Sequence, residues 1–329
     1  MSSILKRSPR YSWALLRLIV AGGLAATLIA FAGPWHWVAD LFAHFRPQYA
    51  VLLAAAAIAL FAGRRWMGGT VALLGLALNL AILLPHADRA GSIGPAVAHA
   101  HQLRVASLNL LQGNKEHEAV EHFIRESGAD VVVFQEVSPA WGTVLQRLTD
   151  LYPQHLILAR KDSKGTALLS KLPLRGTTFE YLPLQDQIGA VTAEVQTEAG
   201  PVKVVFGIHS HKPTRAWGAI SQQRYFQWLA KRSSEVRFAG LPVVVLGDFN
   251  STPWAVAFRQ FVRESQLVDT SRGIMLGATW NVLLPHRLLI DHAFISPELH
   301  LVRRQVGPAV GSDHRPLILD LSFSRSRAR

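Results

Sequence analysis

The chain contains no cysteine, which excludes a thiol nucleophile, a thiolate metal site and any disulfide. That absence suits either redox compartment and assigns the protein to neither. Acidic residues are also scarce: 22 Asp and Glu stand against 34 Lys and Arg, a formal net charge of +12. Residues 1–102 hold eight Lys or Arg and two Asp or Glu, and the remainder hold 26 and 20, so each part carries half of the excess. In residues 103–329 this is a mild basic bias that suits an anionic substrate without demanding one.

Charge is almost missing from three early stretches. Trp13–Ala32 (WALLRLIVAGGLAATLIAFA) carries only Arg17, and Pro47–Gly63 and Met67–Pro85 carry no charged residue at all. Runs of about 20 apolar residues match the hydrocarbon thickness of a bilayer, so residues 1–85 read as a region of two or three transmembrane helices. Lys6, Arg7, Arg10 and Arg17 precede or open the first run, and Arg64 and Arg65 separate the second from the third. Basic flanks favour the cytoplasm, which places the N-terminus inside and everything after Pro85 in the periplasm or cell exterior. Cleavage after the small-x-small pattern Ala30-Phe31-Ala32 would leave two spans and the same outward C-terminal domain. No ionisable side chain lies at mid-depth, which argues against a transporter or sensor built on the spans. Residues 86–102 read as a linker whose histidines, His86, His99 and His101, are solvated.

From Leu103 onward, apolar runs alternate with polar turns. Strands are expected over 103–110, 130–137, 155–159, 166–170, 190–197, 202–209, 242–246, 292–295, 301–306 and 317–323. Helices are expected over 115–127, stopped by Gly128, over 139–148 after a Ser138 cap, and over 216–236. Strands outnumber helices and often follow one another directly, which favours an α+β arrangement. Residues 324–329 form a basic tail.

One stretch poses the functional question. PVVVLGDFNSTPW runs from an apolar strand straight into Asp248 and Asn250, two apart and expected to project from one face. The pattern repeats. Apolar strands meet Asn109, Gln135 and Glu136, His209, Asp248 and Asn250, Asp291 and His292, and Asp313 and His314 at their ends. Turn propensity accounts for one such residue but not for six equivalent strand ends, because loops held by a rigid sheet are where reactive groups concentrate.

In that order, SLN, FQE, GTALLSKLP, IHSHKP, GDFNSTP, IDH and SDHRP resemble the endonuclease/exonuclease/phosphatase (DNase I-like) superfamily over about Leu103–Phe323. The resemblance implies a four-layered α/β sandwich, two packed mixed β-sheets flanked by helices, with the site at one end of the sheets. It implies a divalent-metal-dependent hydrolase of phosphate esters. Hard oxygen donors without cysteine favour Mg²⁺ or Mn²⁺. Glu136, with Asn109 and Asp313, is then expected to hold the metal. Asp248 is expected to align or deprotonate the attacking water, and Asn250 and Asn109 to contact the phosphate. His209 and His314 would donate to the phosphoryl oxygens, and Asp291 would orient a histidine, His209 first. Arg224 and Trp280 fall near family substrate-binding positions, although a solvated helix face accounts for Arg224 equally and packing for Trp280. His292 reads as structural or supporting, and His211 as solvent-exposed.

The expected function is a membrane-anchored phosphodiester hydrolase acting outside the cytoplasm on nucleic acid or phospholipid, with the bilayer and its substrate as partners and no protein partner. The rival readings are a phosphomonoesterase of the same fold and an inactive binding scaffold.

Overall fold

The computed structural model describes residues 9–88, 101–183, 185–198, 200–271, 277–280 and 287–323. The chain divides into two compact units. One is essentially residues 1–88 and the other covers most of residues 89–329.

The first unit is helical: α1 (Pro9–Phe31), α2 (Trp37–Ala43), α3 (Arg46–Ala62) and α4 (Trp66–Asp88). Trp13–Phe31 and Trp66–His86 are long and apolar enough to cross a membrane. The middle span expected over 47–63 is α3, which joins α2 at a bend of 57° and counts as a third span only as that pair. At 17 residues α3 is shorter than the other two candidate spans. Small residues let these helices approach, since a Cβ on Gly23 or Gly75 would lie 3.2 or 3.1 Å from Leu53 side-chain atoms. The buried Asn79 amide donates to Thr27 Oγ1 (2.8 Å) and the Gly75 carbonyl (2.9 Å), so this polar side chain is satisfied within the apolar helices. Helix α4 runs through Pro85 to Asp88, so His86 is helical. His101 opens the first strand, and His99, with the rest of 89–100 and the tail 324–329, lies outside the described residues.

The second unit contains two six-stranded mixed sheets. The first has the order β11 (His300–Val306), β12 (Leu317–Phe323), β1 (His101–Asn109), β2 (Val131–Gln135), β4 (Thr166–Ser170), β3 (Gln154–Leu158). The second has the order β5 (Leu174–Leu182), β6 (Gln185–Thr197), β7 (Gly200–His209), β8 (Val243–Asp248), β10 (Asp291–Ile295), β9 (Val268–Asp269). Among the described residues, β1–β2 and β7–β8 are the pairs that run parallel.

Strand alternation builds the layers. Val105, Val131 and Val133 pack with Val191, Val244, Leu246 and Ala293 in the core between the sheets. Their neighbours Ala106, Val132 and Phe134 face outward against Val120, Phe123 and Ile124 of α5 (His117–Glu126) and Trp141 and Val144 of α6 (Pro139–Gln146). On the far side, α7 (Ala216–Phe238) and α8 (Val256–Ser265) cover the second sheet. There Phe226, Phe258 and Phe261 meet Phe249 and Phe294 at ring separations of 4.9–6.0 Å. The result is the expected four-layered α/β sandwich. The sequence missed β5, whose half-exposed LRGTTFEYL lacks clean alternation, and also the two-residue β9 and α8.

Candidate active site

Strand pairing brings the polar strand ends together. Parallel β1 and β2 set Asn109 opposite Gln135, parallel β7 and β8 set His209 opposite Asp248, and antiparallel β10 sets Asp291 opposite Asp248. Asn109, on the first sheet, donates through Nδ2 to Asp248 Oδ2 on the second at 3.0 Å and to Glu136 Oε1 at 3.2 Å. Glu136 Oε2 accepts the Gln112 backbone N–H at 3.1 Å. The Nε2 of His209 faces the same two carboxylates, 3.7 Å from Glu136 Oε1 and 3.6 Å from Asp248 Oδ2.

From the other side, His314 Nε2 approaches Asp248 Oδ2 at 3.9 Å. Its Nδ1 is 2.8 Å from Asp291 Oδ2, which also accepts the Thr279 hydroxyl. A carboxylate on Nδ1 fixes the ring so that Nε2 is the nitrogen presented to the site. Ser312 holds the approach to this histidine, donating to the Asn109 carbonyl (2.7 Å) and accepting the His314 backbone N–H (3.0 Å).

The backbone around GDFN is constrained. Gly247 sits at φ +147°, and a Cβ there would lie 2.4 Å from the Ile208 carbonyl oxygen of the parallel neighbour, so only glycine delivers the strand to Asp248. Strand β8 ends at Asp248. Asn250 is left-handed (φ +46°), and its backbone N–H caps Asp248 Oδ1 at 2.8 Å. Asp248 and Asn250 are therefore brought together by an Asx turn and not by the strand alternation the sequence implied. Glu136 is left-handed as well (φ +57°), and such strained residues concentrate at functional sites.

Burial and charge set the protonation states. Burial raises the Asp248 carboxyl to about 6, against the opposing pull of His314. Burial also penalises charged His314, yet Asp291, Asp248 and Asp313 more than compensate and raise it to about 9. His209 goes the other way. Burial, with Lys164, His314 and Lys212 nearby, holds it well below the ordinary histidine range. At neutral pH the site therefore contains one cationic imidazole and one neutral one on either side of Asp248.

Several expectations need correction. Asp291 orients His314, not His209; the His209 Nδ1 lies 2.8 Å from the Ser163 carbonyl in the β3–β4 connection. The Asn250 amide is already engaged, donating to the Ser210 carbonyl (3.0 Å) and Asp248 Oδ2 (3.2 Å), so it shapes the site instead of presenting a free donor. Asp313 makes no hydrogen bond to Glu136 or Asn109. It takes the Trp280 indole N–H at 3.0 Å and lies 3.9 Å from His314 Nε2, placing Trp280 at the rim of the site. Arg224 lies on the exposed face of α7 and makes no ion pair to these groups among the described residues. His292 is fully buried, with Nε2 2.9 Å from the Ser251 carbonyl and its ring against Phe258, and is structural. His211 is not solvated: Nδ1 lies 2.7 Å from Ser221 Oγ and the ring meets Trp217 edge-on at 5.0 Å.

The sequence reading overlooked Lys164, Gln222 and Thr279. Lys164 is half-buried beside Asp248 and Glu136, whose charges oppose the burial that lowers its pKa. Gln222, from the inner face of α7, donates to Ser210 Oγ and to the carbonyls of His211, Phe249 and Asn250 at 2.8–3.2 Å. Thr279 stood next to the Trp280 that GATWN singled out, but a lone threonine carries no signal.

A divalent cation fits this donor set. Glu136, Asp248 and Asp291 are three buried carboxylates, against which stand two cationic groups, His314 beside Asp248 and Asp291 and the half-buried Lys164 near Asp248 and Glu136. Buried carboxylates in excess over their counter-charges are costly without a cation. Among the described residues, one group of three has its ligand atoms within 4.8 Å of one another: Asp248, Asp291 and His314. This differs from the expected set of Glu136, Asn109 and Asp313. Asp291 is already committed to His314 and Thr279, so the group behaves first as an acid–imidazole pair beside a second carboxylate.

Two sheets delivering carboxylates, amides and a pair of imidazoles to one end define a class, the phosphoester hydrolases of the sandwich type. The chain belongs to the Endonuclease/Exonuclease/phosphatase family, whose model matches residues 106–314. Solved structures share the fold. An endonuclease/exonuclease/phosphatase from Beutenbergia cavernae DSM 12333 superposes with a TM-score of 0.56 at 19% identity, covering 69% of this chain and 73% of its own. A family protein from Bacteroides thetaiotaomicron gives 0.55 at 16%, covering 69% and 100%. TDP2 of D. rerio, solved with a single-strand DNA product, gives 0.53 at 16%, covering 67% and 98%. No curated protein matches the chain.

Proposed function

We propose that the protein is a membrane-anchored, divalent-metal-dependent phosphodiesterase whose catalytic unit faces the periplasm or cell exterior and acts on nucleic acid or phospholipid. The observation that supports this most is the convergence of His209 Nε2 (3.6 Å) and His314 Nε2 (3.9 Å) on Asp248 Oδ2 from opposite sides.

Asp248, raised to about 6 by burial, is matched to accept a proton near neutral pH and is the base that aligns and deprotonates water. His314, kept cationic by Asp291, donates to a phosphoryl oxygen as negative charge develops. His209, fixed by Ser163, flanks the same oxygen set, and half-buried Lys164 adds positive charge beside Asp248 and Glu136. Asn109 and Asn250 hold Asp248 in place, and Trp280 with Asp313 forms the rim. Glu136 with Asn109 would hold Mg²⁺ or Mn²⁺, which supplies Lewis-acid neutralisation of phosphate charge when bound.

Membrane attachment is supported by the apolar helices, with α2 and α3 together as the middle span and basic residues at Arg17 and Arg64–Arg65. A D. rerio protein of the same fold holds a single-strand DNA product, which keeps nucleic acid among the candidate substrates. An outward-facing site favours extracellular nucleic acid or membrane lipid over chromosomal DNA.

The test is turnover of the purified full chain on single-stranded DNA, on sphingomyelin and phosphatidylglycerol vesicles, and on p-nitrophenyl phosphate, each with Mg²⁺ or Mn²⁺. Cleavage of a diester is expected. Turnover of the monoester alone would establish a phosphomonoesterase, and no turnover on any of them would favour a binding scaffold.

A further inference from the structure

The longest helix of the catalytic unit is apolar on both sides. Its inner face buries Tyr225, Phe226, Leu229, Ala230 and Val236 against the second sheet. Its outer face nevertheless carries Trp217 (57% exposed), Ile220 (52%) and Phe238 (93%). At 100° per residue, positions 217, 220, 224, 231 and 238 fall on one face, so Arg224 and Lys231 lie between the apolar ends. The stripe runs about 32 Å along the helix at 1.5 Å per residue. Solvated helix faces rarely set three large apolar side chains in line.

The charges on this face are of one sign in effect. Glu235 is the one acid on it, and its carboxylate is taken by Arg232 at 3.2 Å. Arg232 is itself held by Glu180 at 2.6 Å, and Arg237 pairs with Glu298 at 3.7 Å. Arg224 and Lys231 make no ion pair among the described residues. At the helix's start the exposed Lys212 and Arg215 extend the basic character, and Trp217 packs on His211, two residues beyond His209 of the site. One end of the stripe therefore packs on the segment that directly follows His209 of the site.

We propose that this outer face of α7 is a docking surface for an anionic lipid bilayer, laid flat with Trp217, Ile220 and Phe238 entering the interface and Arg224, Lys231, Lys212 and Arg215 among the head groups. Aromatic and aliphatic side chains interspersed with cations are what an interfacial helix presents. Lysine and arginine stems add apolar contact while their charges stay at head-group depth. Docking would hold the segment that follows His209 at the lipid surface, which makes a head-group phosphodiester the substrate class the arrangement serves. The inference rests on the membrane attachment proposed above.

The cysteine-free chain allows single spin labels at exposed positions. Full-length Ile220→Cys and Phe238→Cys, with Leu74→Cys on α4 (61% exposed) as a span control and Glu126→Cys on α5 as an aqueous control, are placed in nanodiscs of phosphatidylcholine with or without one-quarter phosphatidylglycerol. Collisional accessibility to oxygen and to a water-soluble nickel chelate reads label depth. In anionic discs the labels at 220 and 238 are expected to shift from the aqueous value of 126 toward the lipid value of 74. Each of Arg224→Gln and Lys231→Gln should weaken the docked state about fivefold. Labels at 220 and 238 that stay aqueous while 74 reads as lipid would overturn the docking and leave the anchor intact. An aqueous 74 would overturn the anchor and the docking with it. Shielding in detergent that grows with protein concentration would identify a second copy as the occupant, and shielding only on adding single-stranded DNA would identify nucleic acid; either result rejects the lipid surface.

Discussion

Removing one charge should switch the protonation of the imidazole at the centre of the site. In Asp291→Asn the ring of His314 keeps a hydrogen-bonding neighbour but loses the anion at 2.8 Å that is the first of the three carboxylates opposing its burial. The wild-type value is raised from an ordinary 6.5 to about 9, so the site as a whole, after the cost of burial, favours the cation by about 3 kcal/mol. Without Asp291, only Asp248 and Asp313 oppose the burial, and His314 should titrate well below 9. Because the folded value is raised, the stabilisation is fully present below pH 6.5 and is lost as pH rises through about 9. The stability gap between wild type and Asp291→Asn should therefore be widest near pH 6 and narrow toward pH 10. The assay is the His314 Cε1–H resonance followed against pH in ¹³C-histidine-labelled protein, assigned with His314→Gln. Turnover should fall about 10²–10⁴-fold at pH 7.5 as the cationic donor is lost. A His314 resonance that still titrates near 9 in Asp291→Asn would refute the reasoning.

Turnover should be bell-shaped in pH, rising as Asp248 ionises through about 6 and falling as His314 deprotonates through about 9. Gln222→Leu leaves the buried Asn250 carbonyl without its side-chain donor, while that of Phe249 keeps the Ser210 hydroxyl, and should cost ~2 kcal/mol by urea unfolding. Gly247→Ala forces a Cβ against the Ile208 carbonyl at φ +147° and should cost at least ~2 kcal/mol while abolishing turnover. Thr279→Val should lower the His314 pKa slightly, read by the same resonance, because Asp291 loses one donor and drifts from the imidazole.

The sandwich was legible because its central strands are apolar throughout and its outer helices are periodic. Val131–Phe134 and Val243–Leu246 cannot be anything but buried, and the polar residue closing each run marks where the sheet opens. The edges were not legible. The β5 sequence exposes Arg175, Gly176, Thr178 and Tyr181 in no regular alternation, and so resembles a loop. Site membership could be read strand by strand, whereas pairing could not. Nothing local tells Asp291 to choose His314 over His209; that follows from the antiparallel placement of β10 and from Thr279, 12 residues earlier in the chain. Lys164 and Gln222 escaped notice for the same reason, since a lysine in a loop and a glutamine on a long helix acquire meaning only once the second sheet brings Asp248 and Ser210 beside them.

The central claim is that Asp248 and a bound divalent ion together drive phosphodiester hydrolysis. Its most direct test is hydrolysis of bis-(p-nitrophenyl) phosphate by the purified full chain with Mg²⁺ or Mn²⁺, compared with EDTA-treated protein and with Asp248→Ala. Turnover is expected with metal and in neither control. Turnover that survives EDTA, or that Asp248→Ala retains, would contradict the claim.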